Sequence, residues 1–432
     1  MKKALNFLLL IILFAGLQDT LKAQSIRARA GTNHQTLILK NVRIVDVEQR
    51  KLLEPMDILI SRGGIIGAIG SDLTAEDARI IEMDGKYVIP GLIDSHTHLA
   101  NATTSANLIN KLDHWLRCGI TSVRDVGSDS RQLADMKRAI NSAQIKGPDI
   151  FYSAFLANKY YFERSLGGGA GADRFLTPWK QEVNPGDDLD EVMIAAKAIG
   201  ATGIKIYYGY DRDMLDKLVA AAQKYGLMTW SHAHLYPAKP SEVAAAGVDV
   251  MSHVSMLEND VFTGEINTPR DGAIQKAEID LFNINLDNFV KIALENDVIL
   301  DATVMIGSGS VYNRDNTQGQ YLFNIVNQLY KKGVKISAGT DWYQDSADGL
   351  PILYDEIEIL VEKCGFEPID AIRAATIIAA ETFGGQDQKG SIAIGKHADM
   401  VILNFNPLED ITSLRKFDSV MKGGVIHKRD EF

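Results

Sequence analysis

Cysteine is almost absent: Cys118 and Cys364 are the only two in 432 residues. That excludes a disulfide framework and a thiolate zinc site, so a bound metal must rely on His, carboxylate or something rarer. Proline is sparse too, at 11 residues. With 36 Gly, 46% hydrophobic and 23% charged residues the composition is that of an ordinary globular chain, which excludes disorder, collagen-like repeats and a coiled coil. There is no basic run, and 45 Lys and Arg stand against 56 Asp and Glu, a formal charge of −11. That sign opposes a phosphate backbone, so nucleic acid is not an expected partner.

Long hydrophobic runs are also missing beyond the N-terminus. There, Lys2 and Lys3 precede the apolar stretch Phe7 to Leu17, followed by polar residues and the small Ala23. Eleven residues at about 1.5 Å each cannot cross a hydrocarbon core of about 30 Å. Residues 1–23 therefore read as a cleaved secretory signal, with an uncleaved anchor as the alternative because Leu21 is bulkier than the small residue preferred two positions before the cut. The expected location is periplasmic or secreted, with no stable membrane insertion after signal removal.

Residues 24–88 carry short β-branched runs separated by polar breaks, and Arg62-Gly63-Gly64 has the composition of a hairpin turn. Residues 387–432 have the same character, with a turn at Lys422-Gly423-Gly424. The two ends predict one small sheet domain, assembled from both termini, with several antiparallel strands. Between them, residues 89–386 alternate apolar runs with helical patterns. Strands are expected near Val88–Thr97, Gly119–Asp125, Asp149–Phe155, Gly203–Tyr208, Leu227–His232, Asp249–His253, Val298–Thr303 and Val334–Asp341. Eight strand–helix units predict a (β/α)8 TIM barrel with its working face at the carboxyl ends of the strands. Two connections, 158–186 and 257–290, are too long for simple linkers and predict lids over that face.

Histidine is scarce, nine in all, yet four fall at predicted strand ends. His96 and His98 sit two apart on the first strand, so both imidazoles face one side and can serve one metal. His232, His253 and Asp341 close the fifth, sixth and eighth strands. His34, His114, His397 and His427 lie outside this set and read as surface or packing residues. Lys205 stands in the β-branched fourth strand, where an unpaired ammonium is very costly. Either it is salt-bridged or its tip reaches water, or its amine is kept neutral and captures carbon dioxide as a carbamate that bridges two metals.

The strings VIPGLIDSHTHL (88–99), WSHAHL (230–235), DVMSHVS (249–255), ISAGTDW (336–342) and GSIAIGKHADMVILNFNPLEDI (390–411), together with Lys205, resemble the amidohydrolase superfamily, within it the imidazolonepropionase-like and prolidase-like branch. The resemblance implies a (β/α)8 barrel with a small β-sandwich built from both chain ends, and two divalent ions, zinc being the expected metal. His96, His98 and Asp341 would hold one and His232 and His253 the other, with carbamylated Lys205 between them. It implies hydrolysis of a C–N amide bond in a small molecule or dipeptide, Asp341 moving the proton and His234 or Tyr208 helping to polarise the carbonyl. His234 and the IYYGY stretch after Lys205 depart from dipeptidase relatives, which puts dipeptide specificity in doubt. A cyclic amidohydrolase, deaminase or lactonase would use the same centre; a scaffold or solute-binding protein is the non-enzyme alternative. Lys159, Arg164 and Arg174 near the mouth could pair with a substrate carboxylate or simply be solvated. The sequence leaves a homo-oligomer open.

Overall fold

Each apolar run of the central region forms a parallel strand: β1 Leu92–Thr97, β2 Ile120–Asp125, β3 Asp149–Ala157, β4 Gly203–Ile206, β5 Met228–His232, β6 Val250–Ser252, β7 Ile299–Asp301 and β8 Lys335–Ser337. Neighbours in sequence are neighbours in the sheet. The ring closes where Ser95 N donates to Ala338 O at 3.1 Å and Asp341 N donates to His96 O at 2.9 Å. The structure is a computed structural model describing residues 35–101, 103–167, 177–261, 283–307, 317–342 and 349–429. The expected leader 1–23, His34, Arg174, the Arg164 side chain and most of the 257–290 connection lie outside the described residues.

Helices between the strands start where side-chain oxygens take up the free amides of the first turn. Thr104 does so for Ser105–Arg117, Asp129 for Ser130–Asn141, Asp188 for Leu189–Ala198 and Asp211 for Arg212–Lys224. Their apolar faces, such as Leu108, Leu112 and Trp115, pack onto the barrel core. Among the described residues no helix is long and apolar enough to cross a membrane.

The β-rich ends of the chain interleave as expected. Strands Val425–Lys428, Phe417–Lys422 and Met400–Leu403 lie next to Tyr87–Pro90, which adjoins Leu37–Asp46, then Met56–Ile60 and Ile66–Gly70. Leu37, Ile44, Ile58, Val88, Met400 and Ile402 share one core, so neither end can bury its apolar face alone. One detail differs from the sequence expectation: Leu37–Asp46 pairs in parallel with both Arg79–Glu82 and Tyr87–Pro90. Alternation marks a half-buried strand but says nothing about its direction. Gly91 alone separates this sheet from β1, and a Cβ there would fall 2.3 Å from Thr121 Oγ1. The two parts are also tied by charge: buried Lys389 pairs with Asp149, the first residue of β3, and with Asp399 at 2.7 Å, while Lys422 reaches Asp149 at 2.9 Å.

The connection after β3 is more regular than a loose lid. It forms a helix, Lys159–Gly167, and a strand, Lys180–Glu182, that pairs in parallel with Phe155–Ala157 and satisfies backbone groups that a bare loop would leave to water.

Candidate metal centre

Five residues expected at strand ends meet at the mouth. The ligand atoms of His96, His98 and Asp341 all lie within 4.8 Å of one another, an arrangement that can hold a metal ion. Asp341 Oδ1 is 3.0 Å from His98 Nε2 and 3.4 Å from His96 Nε2, and Oδ2 is 3.8 Å from His253 Nδ1. His253 in turn lies beside His232, with ring centroids 4.8 Å apart, and beside His96 at 5.0 Å. His98 Nδ1 and His232 Nδ1 are buried without a hydrogen-bond partner among the described residues. A cluster of imidazoles with unclaimed nitrogens around one carboxylate is a donor set that suits a divalent cation.

The backbone bends to make this possible. On β1 the register shifts between Asp94 and Thr97, so adjacent residues both turn inward: Ser95 Oγ meets Ser337 Oγ at 3.0 Å while His96 reaches Asp301. Simple two-residue alternation does not anticipate this. His253 and Asp341 both sit in the left-handed region, at φ 76° and 51°, as does β-branched Thr303 at 48°. Three such residues around one cluster mark stored strain, which persists where the surrounding structure fixes a functional geometry. Thr303 Oγ1 lies 3.0 Å from His253 Nδ1 and so orients that ring.

Burial governs the charges. It drives His232 well below its usual range, lowers His96 despite Asp301 and Asp341, and takes His253 down to about 3, so these three are neutral and able to coordinate at pH 7. Burial would raise Asp341, but the surrounding imidazoles of His96, His98 and His253, with the bond from His98, outweigh it and hold the carboxyl well below the usual range. Lys205 is buried, and desolvation followed by the Arg124 charge lowers its pKa to about 7, so a large neutral fraction exists near physiological pH. Its Nζ donates to Ser252 Oγ at 3.1 Å.

Tyr208 lies near this group, its ring 5.3 Å from that of His232, and Tyr207 is nearer still at 4.1 Å. His234 is buried, its ring edge-on to Tyr236 at 6.4 Å. Lys159 is solvated and 3.5 Å from Glu163, as expected of an ordinary surface lysine. Asp301 and Arg124, two buried charges inside β7 and β2, are not among the residues the sequence predicts for the site. The signal was the one that exposed Lys205, a charged residue in a strand covered on both faces.

Glu356 supports the mouth from behind. Its buried carboxylate accepts from Val304 N and Met305 N, both at 2.8 Å, and so braces the segment that begins with Thr303. Burial outweighs those bonds and pushes its pKa up to about 8. A carboxyl with a raised folded pKa gives its full stability below the unfolded value of 4.5 and loses it as pH rises through 8. The wild type is therefore expected to lose melting temperature between pH 6 and 9 relative to Glu356→Gln, measured by calorimetry on metal-free protein.

Fold and site together define a (β/α)8 barrel with a metal-competent cluster at the carboxyl ends of its strands. The sequence profile of the amidohydrolase family matches residues 87–427, and the chain belongs to that family. It is 28% identical over 389 residues to an adenine deaminase of Ligilactobacillus salivarius, covering 89% of this chain and 57% of that protein. The chain thus spans little more than half the length of that relative. It is 24% identical over 392 residues to the ochratoxinase of Aspergillus niger, covering 79% of this chain and 75% of the other. Among solved structures, a Xaa-Pro dipeptidase with methionine in its active site superposes with a TM-score of 0.71 at 24% identity, covering 91% of this chain and all of that one. The A. niger ochratoxinase structure gives 0.71 at 19% identity, covering 92% and 96%. At these identities the structural likeness is one of fold.

Proposed function

We propose that the protein is an exported, metal-dependent hydrolase that cleaves the C–N amide bond of a small molecule or dipeptide-like substrate. The observation that carries this reading is the convergence of four imidazoles, Asp341 and a desolvated Lys205 at one end of the barrel. In it, His96, His98 and Asp341 would hold one divalent ion and His232 and His253 a second, zinc being the expected metal. Lys205 would contribute a carboxylate to hold them: its neutral amine adds to the carbon of carbon dioxide, one proton leaves, and the carbamate nitrogen keeps one N–H. Bound ions of this kind lower the pKa of water toward about 7 and polarise a carbonyl.

The chain's own groups do the rest. Asp341 is ionised at neutral pH and its side chain is 21% exposed, so it can reach an attacking water while the His96 beside it stays dry. It takes the proton from that water and delivers it to the departing amine. Tyr208 and His234 assist at the carbonyl oxygen. Tyr161, Tyr207 and Tyr208, with centroids 4.5–6.4 Å apart and ring planes inclined by 47–71°, offer an angled aromatic wall near His232 for the substrate's apolar part, and Lys180 lies 6.0 Å from the Tyr161 ring, where it can meet a carboxylate. Export rests on the charged start and apolar run of residues 2–17.

A panel of dipeptides, N-acyl amino acids, lactones and cyclic ureides, assayed with zinc- or manganese-loaded and chelator-treated protein, tests the reading. Amides are expected to be cleaved into two products, with loss on chelation and recovery on adding metal. Ammonia release from an aminopurine, the reaction the adenine deaminase likeness favours, or turnover confined to lactones would replace it.

A further inference from the structure

We infer that Asp301 is a positioning residue that couples the two halves of the centre, with Arg124 as its counter-ion; this rests on the metal-dependent reading above. One oxygen of Asp301, Oδ2, lies 2.5 Å from His96 Nδ1, 2.7 Å from Arg124 Nη2 and 3.1 Å from Ser252 Oγ. Ser252 Oγ accepts in turn from Lys205 Nζ at 3.1 Å. A single carboxylate oxygen thus reaches a residue of the first subsite directly and the bridging Lys205 through one hydroxyl.

The proton inventory follows. An ionised carboxylate only accepts, so the proton of neutral His96 must sit on Nδ1, which leaves the Nε2 lone pair for the mouth. Ser252 has one hydrogen and spends it on Asp301, so its oxygen faces Lys205 as an acceptor. An amine and a carbamate N–H both satisfy it. The carboxylate is held from several sides. Arg124 donates Nε to Ser95 O at 2.5 Å and lies over the Trp230 ring at 4.8 Å. Gly339 borders the other oxygen so closely that a Cβ would stand 2.3 Å from Asp301 Oδ1 and 2.7 Å from His96 Cβ. All five polar residues of the network are at most 1% exposed, so water does not share these bonds. A buried ion pair serving only the fold would have no need to settle a ligand's tautomer.

Titration of metal-free wild type, Asp301→Asn and Ser252→Ala with Co²⁺ alone, read by visible absorption, tests this together with the ring ¹⁵N spectrum of His96. Wild type should bind two ions and show His96 protonated at Nδ1 before any metal is added. Asp301→Asn should weaken cobalt binding by about 10–100-fold and scramble the His96 tautomer. Ser252→Ala should keep the tautomer and weaken one of the two ions. The inference is overturned if wild type binds no cobalt, or if a folded Asp301→Asn binds it within threefold of wild type with His96 still protonated at Nδ1. Should that variant not fold, unchanged cobalt binding by Ser252→Ala overturns it equally. Two-site cobalt binding without amide turnover would instead remove the proposed function and leave the role of Asp301 standing.

Discussion

Asn at position 341 is expected to lower kcat by about 10²–10⁴-fold on any amide the protein cleaves, the range that general acid–base groups supply, while fold and most bound metal survive. The substitution is nearly isosteric. Asn also tolerates the left-handed backbone that Asp341 adopts at φ 51°, so no new strain is introduced. Its amide oxygen can still face His98 and His96, but it cannot take up a proton at neutral pH. Steady-state kinetics with metal analysis of the same sample decides the matter. A variant that retains a tenth of the wild-type rate would confine Asp341 to the role of a metal ligand.

The second large effect belongs to Lys205. Lys205→Met is expected to bind at most one metal per chain and to lose more than about 10³-fold in activity, yet to melt no lower than wild type. Met fills a similar volume and removes the desolvation cost of a buried amine, so a residue that served packing alone would accept it. Lys205→Ala leaves room beside Ser252, and millimolar acetate or propionate should restore part of its activity by supplying a carboxylate where the carbamate would stand; Met should block that rescue. Elemental analysis giving two metals for the Met variant would strip Lys205 of its bridging role.

Much of this site could be read before the structure. His was scarce and strand ends were marked by β-branched runs, so His96, His232 and His253 were legible from position alone. Lys205 stood out because a charged residue in a doubly covered strand is costly. Arg124 and Asp301 are anomalous in the same way, but their meaning lies in a pairing across 177 positions that no local pattern encodes. The strained backbones of His253, Thr303 and Asp341 were not readable either, since none is the glycine that would announce a left-handed turn. In the β-rich ends, apolar alternation located the strands and left their polarity open.

The division of labour between strands and the segments that follow them bears on how such a protein changes over time. The residues that gather around Asp341 lie on or directly after rigid strands and are cross-braced by Asp301, Thr303 and Glu356. Tyr161 and Tyr207 lie just past the ends of β3 and β4, on backbone that carries no part of that bracing. Mutations can therefore accumulate at the wall and reshape which molecules enter, while the hydrolytic apparatus keeps its geometry. In this chain, inherited chemistry and acquired taste are written in different side chains of the same strand ends, which makes the barrel a permissive ancestor for new substrates.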